Sequence, residues 1–380
     1  MRIHLLGIPH TVTRPDFSHC AFTGKVERFS QMMRAQGFEV IHYGVEGAES
    51  GANEQIDLME RDEHLRLLGQ KTYHDDPTAF IGNKAIVGTP LYTQFNFRLR
   101  DELDNRLEPG DIVCLPFGHA HENAISGLEL LKSGECAAVE TGIGYPNPCT
   151  IRRVFESQAW RHWIMGKEER EGAGWESPRQ EWVIPNYYNV NEWPVVTELS
   201  ADAKRMVVFF GRINEAKGCA IIPRLARAFP DLRFVMCGQG DPTPYLGEPN
   251  VEYKAPISGK ERAAFLGNAA IGLFPSRMVE PFCGAAVETM LCGTPVLTSD
   301  YGAFTETNIN GVTGYRCTDE RDFIRNIEWA MCALKRETVA ESARARFATT
   351  TCGPMYAKVF DDVSRSMQKA AAPSRMLAAV

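Results

Sequence analysis

Short apolar runs alternate with segments of helical period along this chain of 380 residues, and the series fades once and then starts again. Strands buried on both faces read as continuous apolar runs, and runs of that kind separated by helical segments build a parallel sheet. Residues 2–8 form the first such run. A helix is expected over 22–36, with Phe22, Val26, Phe29, Met32 and Met33 on one face. Gly37 suits its end, and a strand follows at 39–45. Further buried strands fit 111–117 and 136–140. A helix fits 60–72, within a stretch from 46 to 110 that the pattern does not otherwise place. The periodicity fades over 194–204. It resumes with strands at 205–210, 232–237, 270–275 and 295–298 and helices at 217–229, 259–267 and 284–292. Two doubly wound α/β domains follow, 1–195 and 196–354, at a length that allows two or three. A last helical period, from about 355 to 372, carries Met355, Val359, Val363 and Met367.

Apolar residues make up 44% and charged residues 23%, which excludes a wholly disordered or fibrous chain. Forty-one Lys and Arg against 48 Asp and Glu leave a net charge of −7, the wrong sign for a general nucleic-acid binder. The eleven cysteines are scattered, with no C-x-x-C pair, so they fit small buried hydrophobes in a reducing compartment better than disulfides or structural zinc. The opening run is too short for a signal peptide, and no window is apolar enough to span a membrane. A cytoplasmic protein is expected.

Two segments carry most of the chemistry. In Pro275–Glu288, Glu280 lies in a loop after a strand and Glu288 lies in the helix that the loop opens. Eight residues of helix span roughly 12 Å, about a sugar diphosphate plus ribose. The backbone amides near 282–285 sit at a helix start, which suits an anion. Two glutamates at this spacing are equally at home on a solvated surface. In Phe209–Gly218, a strand runs into the turn glycine Gly211, and Arg212 and Lys217 follow, five residues apart. Ligands of open parallel sheets bind beyond the strand C-termini, where two cations can hold a diphosphate. A solvated basic loop is the plainer alternative.

Together with Cys237-Gly238-Gln239-Gly240, Cys292–Val296 and Asn310–Gly314, these segments resemble glycosyltransferase family 4. Order and spacing match over about 205–318. Val183–Asn186 looks like that family's entry into the linker, and 343–347 with a helix containing Tyr356 looks like its C-terminal crossover. The resemblance implies the GT-B fold, two Rossmann-like domains facing each other across a cleft. It also implies a retaining, metal-independent hexosyltransferase using a UDP- or GDP-linked sugar and a saccharide or glycoconjugate acceptor. Arg212 and Lys217 would bind the diphosphate, with Gly211 and Gly238 in the donor-binding turns. Glu288 would accept ribose hydroxyls, and Glu280 would contact the transferred sugar as a catalytic residue. Amides around Phe282, Cys283, Gly284 and Ala285 would hold phosphate or sugar hydroxyls. Cys283 replaces the family's usual glycine, so a positive φ there would be strained.

Before residue 205 the resemblance is moderate. Where the family often has a histidine after a strand, this chain has Val139–Tyr145, and Glu140 is the carboxylate able to take a sugar hydroxyl. The alternative is a strand-end glutamate facing water. His119, in Gly118–Asn123, is expected to face donor or acceptor; the His-x-His spacing is a weak case for a metal. Thr23 and Gly24, at the start of the first helix, are the best match to the family's phosphate loop. No Asp-x-Asp occurs, which fits cations in place of a metal. Arg152–Phe155 and Trp160–Trp163 favour a helix packed through its aromatics over contact with a membrane surface. An epimerase of the same fold and a silent nucleotide-sugar-binding scaffold are the competing readings. A nicotinamide dehydrogenase is excluded by the absence of G-x-G-x-x-G after the first strand.

Overall fold

The structure, a computed structural model, describes residues 1–17, 20–73, 87–170 and 179–371, with side chains through Gln368. The chain divides into two compact units. One comprises residues 1–155, 168–184 and those from 352 onward; the other comprises 156–167 and 185–351.

The first unit carries strands β1 (Arg2–Leu6), β2 (Glu39–Val45), β3 (Glu54–Met59), β4 (Ile112–Leu115), β5 (Ala137–Ile143), β6 (Arg152–Phe155) and β7 (Gln180–Val183). They form one parallel sheet in the order β3-β2-β1-β4-β5-β6-β7. Helix α1 (Ala21–Ala35) ends as expected: Gly37 has φ 85°, and Gly37 and Phe38 donate backbone bonds to Arg34 and Met33. The helix expected over 60–72 is α2 (Arg61–Leu68), stopped by Gly69 in the left-handed region. The stretch left unplaced from the sequence holds β3 and helix α3 (Pro90–Arg106). The exposed Phe97 and the buried Asn96 blur α3's buried stripe of Leu91, Phe95, Leu99 and Leu103.

The second unit carries β8 (Met206–Phe210), β9 (Arg233–Cys237), β10 (Val251–Lys254), β11 (Ile271–Phe274), β12 (Val296–Ser299) and β13 (Gly314–Cys317). Its parallel order is β10-β9-β8-β11-β12-β13. Side chains of a strand alternate between faces. In β8, Val208 therefore joins one core cluster with Phe274, Phe282 and Val287, while Val207 and Phe209 join the other with Leu225 and Leu273. The helix expected over 217–229 is shorter, Ile222–Ala228 preceded by two 3₁₀ turns, because Gly218 turns into the left-handed region and Pro223 fits only a first helical turn. Residues 185–195, assigned from the sequence to the first domain, belong to the second unit. Tyr188 N donates to Phe347 O and Thr349 N donates to Tyr188 O, which tie that segment into it. The C-terminal period is a helix, Thr349–Ala371, its apolar side carrying Tyr356, Val359, Phe360 and Val363 against Phe29 and Phe38. Residue 372 of the expected segment lies outside the described residues.

Strand order in the second sheet reverses between β8 and β11. An α/β sheet binds its ligands outside the strand ends at such a reversal. The loops that leave β8 and β11 there are the two segments singled out from the sequence.

Candidate donor site

After β8, Gly211 N donates to Cys237 O and Ile213 N to Gln239 O, so the turn is stitched to the loop after β9. Gly238 must be glycine, since its φ is 151° and a Cβ would lie 1.8 Å from Gly211 O. Asn214 Oδ1 accepts from Lys217 N and starts a 3₁₀ turn that aims Lys217. Gly218, at φ 74°, packs so closely on Pro275 O that a Cβ would be 1.9 Å away. That contact fixes the β8 loop against the β11 loop, and Arg277 N donating to Ala216 O fixes it a second time.

Lys217 Nζ thereby lies 2.6 Å from Glu280 Oε1, and Ser276 Oγ donates to the same oxygen. The Glu280 side chain is 3% exposed and that of Lys217 is 18% exposed. Arg212 is exposed at the mouth of the turn, with no side-chain partner among the described residues.

Beyond Glu280 the chain enters the helix Gly284–Leu291 through Cys283, whose φ is 65°. Among the described residues it is the one non-glycine at positive φ. The backbone conformation that glycine would serve is present, and a cysteine adopts it. Phe282 points inward, its side chain buried against Phe347, so its part in any site is confined to the backbone. Cys283, Gly284 and Ala285 are partly exposed, and the first-turn amides of a helix lack intrahelical acceptors. Glu288, on the same helix, is 7% exposed. Its Oε1 accepts from Arg262 Nη2 at 3.2 Å. Arg262, in helix Gly259–Gly267, lies over the rings of Trp193 and Phe210 at 5.2 and 5.7 Å. Sequence reasoning missed Arg262 because it belongs to no motif. Ser276 lies within Pro275–Glu288, and its place four residues before Glu280 is the one signal the sequence offers for it.

In the first unit the clear departure from expectation is Glu140. Glu140 neither faces water nor offers its carboxylate: it is fully buried and accepts from Tyr145 OH (2.7 Å), Cys149 N (3.0 Å), Thr150 N (2.8 Å) and Thr150 Oγ1 (2.9 Å). Burial raises its pKa, against the lowering effect of those donors. It anchors the loop between β5 and β6. Gly24 N donates to Cys20 O, which takes that amide, and the Thr23 hydroxyl bonds to that of Thr11. His119 is half-buried, edge-on to Phe117. His121 is buried with Nδ1 on Asn96 Oδ1, and burial lowers its pKa to about 3. Among the described residues no group of three His, Cys, Asp or Glu is placed to hold a metal. No described helix is long and apolar enough to cross a membrane.

Residues 196–346 match the family described as glycosyl transferases group 1. The chain is 28% identical to a glycogen synthase of Mycobacterium tuberculosis over 178 residues, 44% of this chain and 42% of that one. It is 29% identical to a phosphatidyl-myo-inositol mannosyltransferase of Propionibacterium freudenreichii over 143 residues, 35% of this chain and 37% of the relative. The matches thus span well under half of those curated relatives. In fold, 96% of the chain overlays 98% of AviGT4, a glycosyltransferase involved in avilamycin A biosynthesis, with TM-score 0.66 and 16% identity. It overlays Anabaena Alr3699/HepE, solved in complex with UDP and glucose, with TM-score 0.63 and 14% identity over 95% of this chain and 99% of that one. The fold is that of the GT-B glycosyltransferases.

Proposed function

We propose, on the premise that residues 196–346 make this chain a member of the glycosyl transferases group 1 family, that it moves a hexose from a nucleotide sugar to a hydroxyl of a saccharide or glycoconjugate. The observation that carries the reading is the meeting of Lys217 and Glu280 at the strand-order reversal of the second sheet, with an accessible helix start between Glu280 and Glu288. The likeness to a structure holding UDP and glucose supports a nucleoside diphosphate sugar as donor.

Arg212 and Lys217 offset the charge of the departing diphosphate, the task that a divalent metal performs elsewhere. The reading therefore needs no metal and no further cofactor. Glu288, held by Arg262 through one oxygen, turns its carboxylate to the ribose hydroxyls. Glu280 takes a hydroxyl of the transferred sugar and favours the positive charge that grows at the anomeric carbon. Transfer proceeds with retention. The C1–O bond to the diphosphate breaks as the acceptor oxygen bonds to C1 from the same face. The acceptor's proton passes to the leaving phosphate oxygen, so no enzymic nucleophile is required. The reaction takes place in the cytoplasm, without nucleic acid.

The test is incubation of the full chain with UDP- and GDP-sugars, with and without saccharide acceptors, in EDTA. Acceptor-dependent release of nucleoside diphosphate and an α-linked product from an α-linked donor are expected. Donor conversion without acceptor would identify an epimerase instead. Tight UDP binding with no turnover for any acceptor would identify a silent binder.

A further inference from the structure

The second unit has a cavity at the opposite end of its sheet from the strand ends that carry Lys217 and Glu280. Its wall includes Ala270 and Pro295, which immediately precede β11 and β12, and Lys204, two residues before β8. The cavity encloses about 450 Å³, within the size range of small-molecule sites. Leu199, Ala330, Met331 and Leu334 give it an apolar floor. Lys204, Lys335, Arg336 and Glu337 supply its charges, three positive against one negative.

None of those cations forms an ion pair among the described residues. Lys204 and Lys335 are exposed and have no ion-pair partner among the described residues. Arg336 is 9% exposed. Its guanidinium donates to the carbonyls of Val196, Gly267 and Ala269 and to the Thr294 hydroxyl, all neutral acceptors. A buried cation with no carboxylate bonded to it is costly, and burial lowers the pKa of Arg336 to about 10 against the weaker opposing charge of Glu337. Helix Arg336–Phe347 begins at the same wall, with its free first-turn amides beside Lys335. An anion in the cavity would meet two unpaired ammonium groups and a helix start, and would offset the Arg336 charge behind them. The apolar floor asks for more than a bare anion.

We propose that this cavity binds a small phosphomonoester, with the phosphate on Lys204, Lys335 and the helix start and the organic body over Leu199 and Met331. The site shares no residue with the donor site and does not rest on the reading of that site. Cys332, exposed on the cavity wall, supplies a local reporter.

The experiment titrates the full chain with phenyl phosphate by calorimetry and, in parallel, follows alkylation of Cys332 by iodoacetamide with peptide mass spectrometry. Binding is expected, together with Cys332 alkylation slowed several-fold at saturation. Inorganic phosphate should bind at least tenfold more weakly than phenyl phosphate. The double variant Lys204→Glu, Lys335→Glu changes only exposed side chains and should lose at least tenfold in affinity at an unchanged melting midpoint. The double variant Arg212→Ala, Lys217→Ala should bind phenyl phosphate as the native chain does. Cys332 alkylated at the same rate with and without phenyl phosphate would overturn the site in the native chain. Loss of binding in the Arg212, Lys217 variant would overturn it too, by placing the ligand at the donor site.

Discussion

Lys217 Nζ and Glu280 Oε1 are 2.6 Å apart although 63 residues separate them, and the contact exists because Gly218 lets the loop after β8 lie directly on Pro275. Both side chains are largely withdrawn from water, so each conditions the other. Glu280→Gln should lower kcat by about 100-fold or more, in the range of a removed transition-state electrostatic contact. Donor affinity should change less than tenfold. Turnover near that of the native enzyme, measured with the best donor and acceptor, would remove Glu280 from the chemistry.

Lys217→Ala strands the Glu280 carboxylate, which among the described residues keeps only the Ser276 hydroxyl. Loss of one partner of a buried pair costs about 3–5 kcal/mol, and the partial exposure of Lys217 brings this to about 1–3 kcal/mol. The same change in a Glu280→Gln background should cost markedly less, because no charge is left unpaired. Denaturant unfolding of the four proteins of this cycle gives the coupling directly. Additive losses would mean that the two side chains do not meet.

Ser276 orients the carboxylate without being placed to touch a sugar. Ser276→Ala should reduce kcat about fivefold, the worth of roughly 1 kcal/mol for one hydrogen bond, and leave donor binding unchanged. Ser276→Thr should restore part of the rate, since it keeps the hydroxyl. An effect on donor binding alone would contradict a positioning role.

Four strands of the second unit were legible because they are largely apolar runs, whereas β10 (Val-Glu-Tyr-Lys) and β13 (Gly-Tyr-Arg-Cys) carry charged and half-exposed residues and were not. Val207 to Phe209 form a strand buried on both faces, Gly218 and Gly238 mark turns with no room for a side chain, and Gly211 marks one at φ 154°. Arg262 was not legible, because an arginine in a helix of mixed composition declares its partner only when Trp193 and Phe210 fold over it. Glu140 misled for a related reason. Its four donors, at Tyr145, Cys149 and Thr150, come from a loop whose return to the strand no periodicity reports.

Cys283 sits at φ 65°, where a Cβ costs about 1–2 kcal/mol. Cys283→Gly relieves that strain but adds freedom to the unfolded chain worth about 0.4–1 kcal/mol. The net change in stability should therefore lie within about 1 kcal/mol of zero. Cys283→Val puts a β-branched side chain at the same φ and should lower stability by more than about 1 kcal/mol. Melting midpoints that rank valine at or above glycine would show that the turn relaxes to negative φ.

Three buried histidines of the first unit set its acid limit. Burial lowers the pKa of His42 to about 4, of His64 to about 4 and of His121 to about 3. His42 lies between Gln55 and Thr13, and His64 between Tyr73 and the Pro9 carbonyl, all neutral groups. In the unfolded chain each titrates near 6.5, so between about 6.5 and 4 the unfolded state binds protons that the folded state does not. Stability is then complete above about 6.5 and declines as pH falls through that window. Below about 3 these groups add no further slope, because both states are protonated. Urea midpoints should accordingly drop between pH 7.5 and 5. The variant His64→Gln, which cannot take up a proton, should show a shallower drop even if its midpoint at pH 7.5 is lower. An equal slope in that variant would mean that His64 is protonated inside the fold.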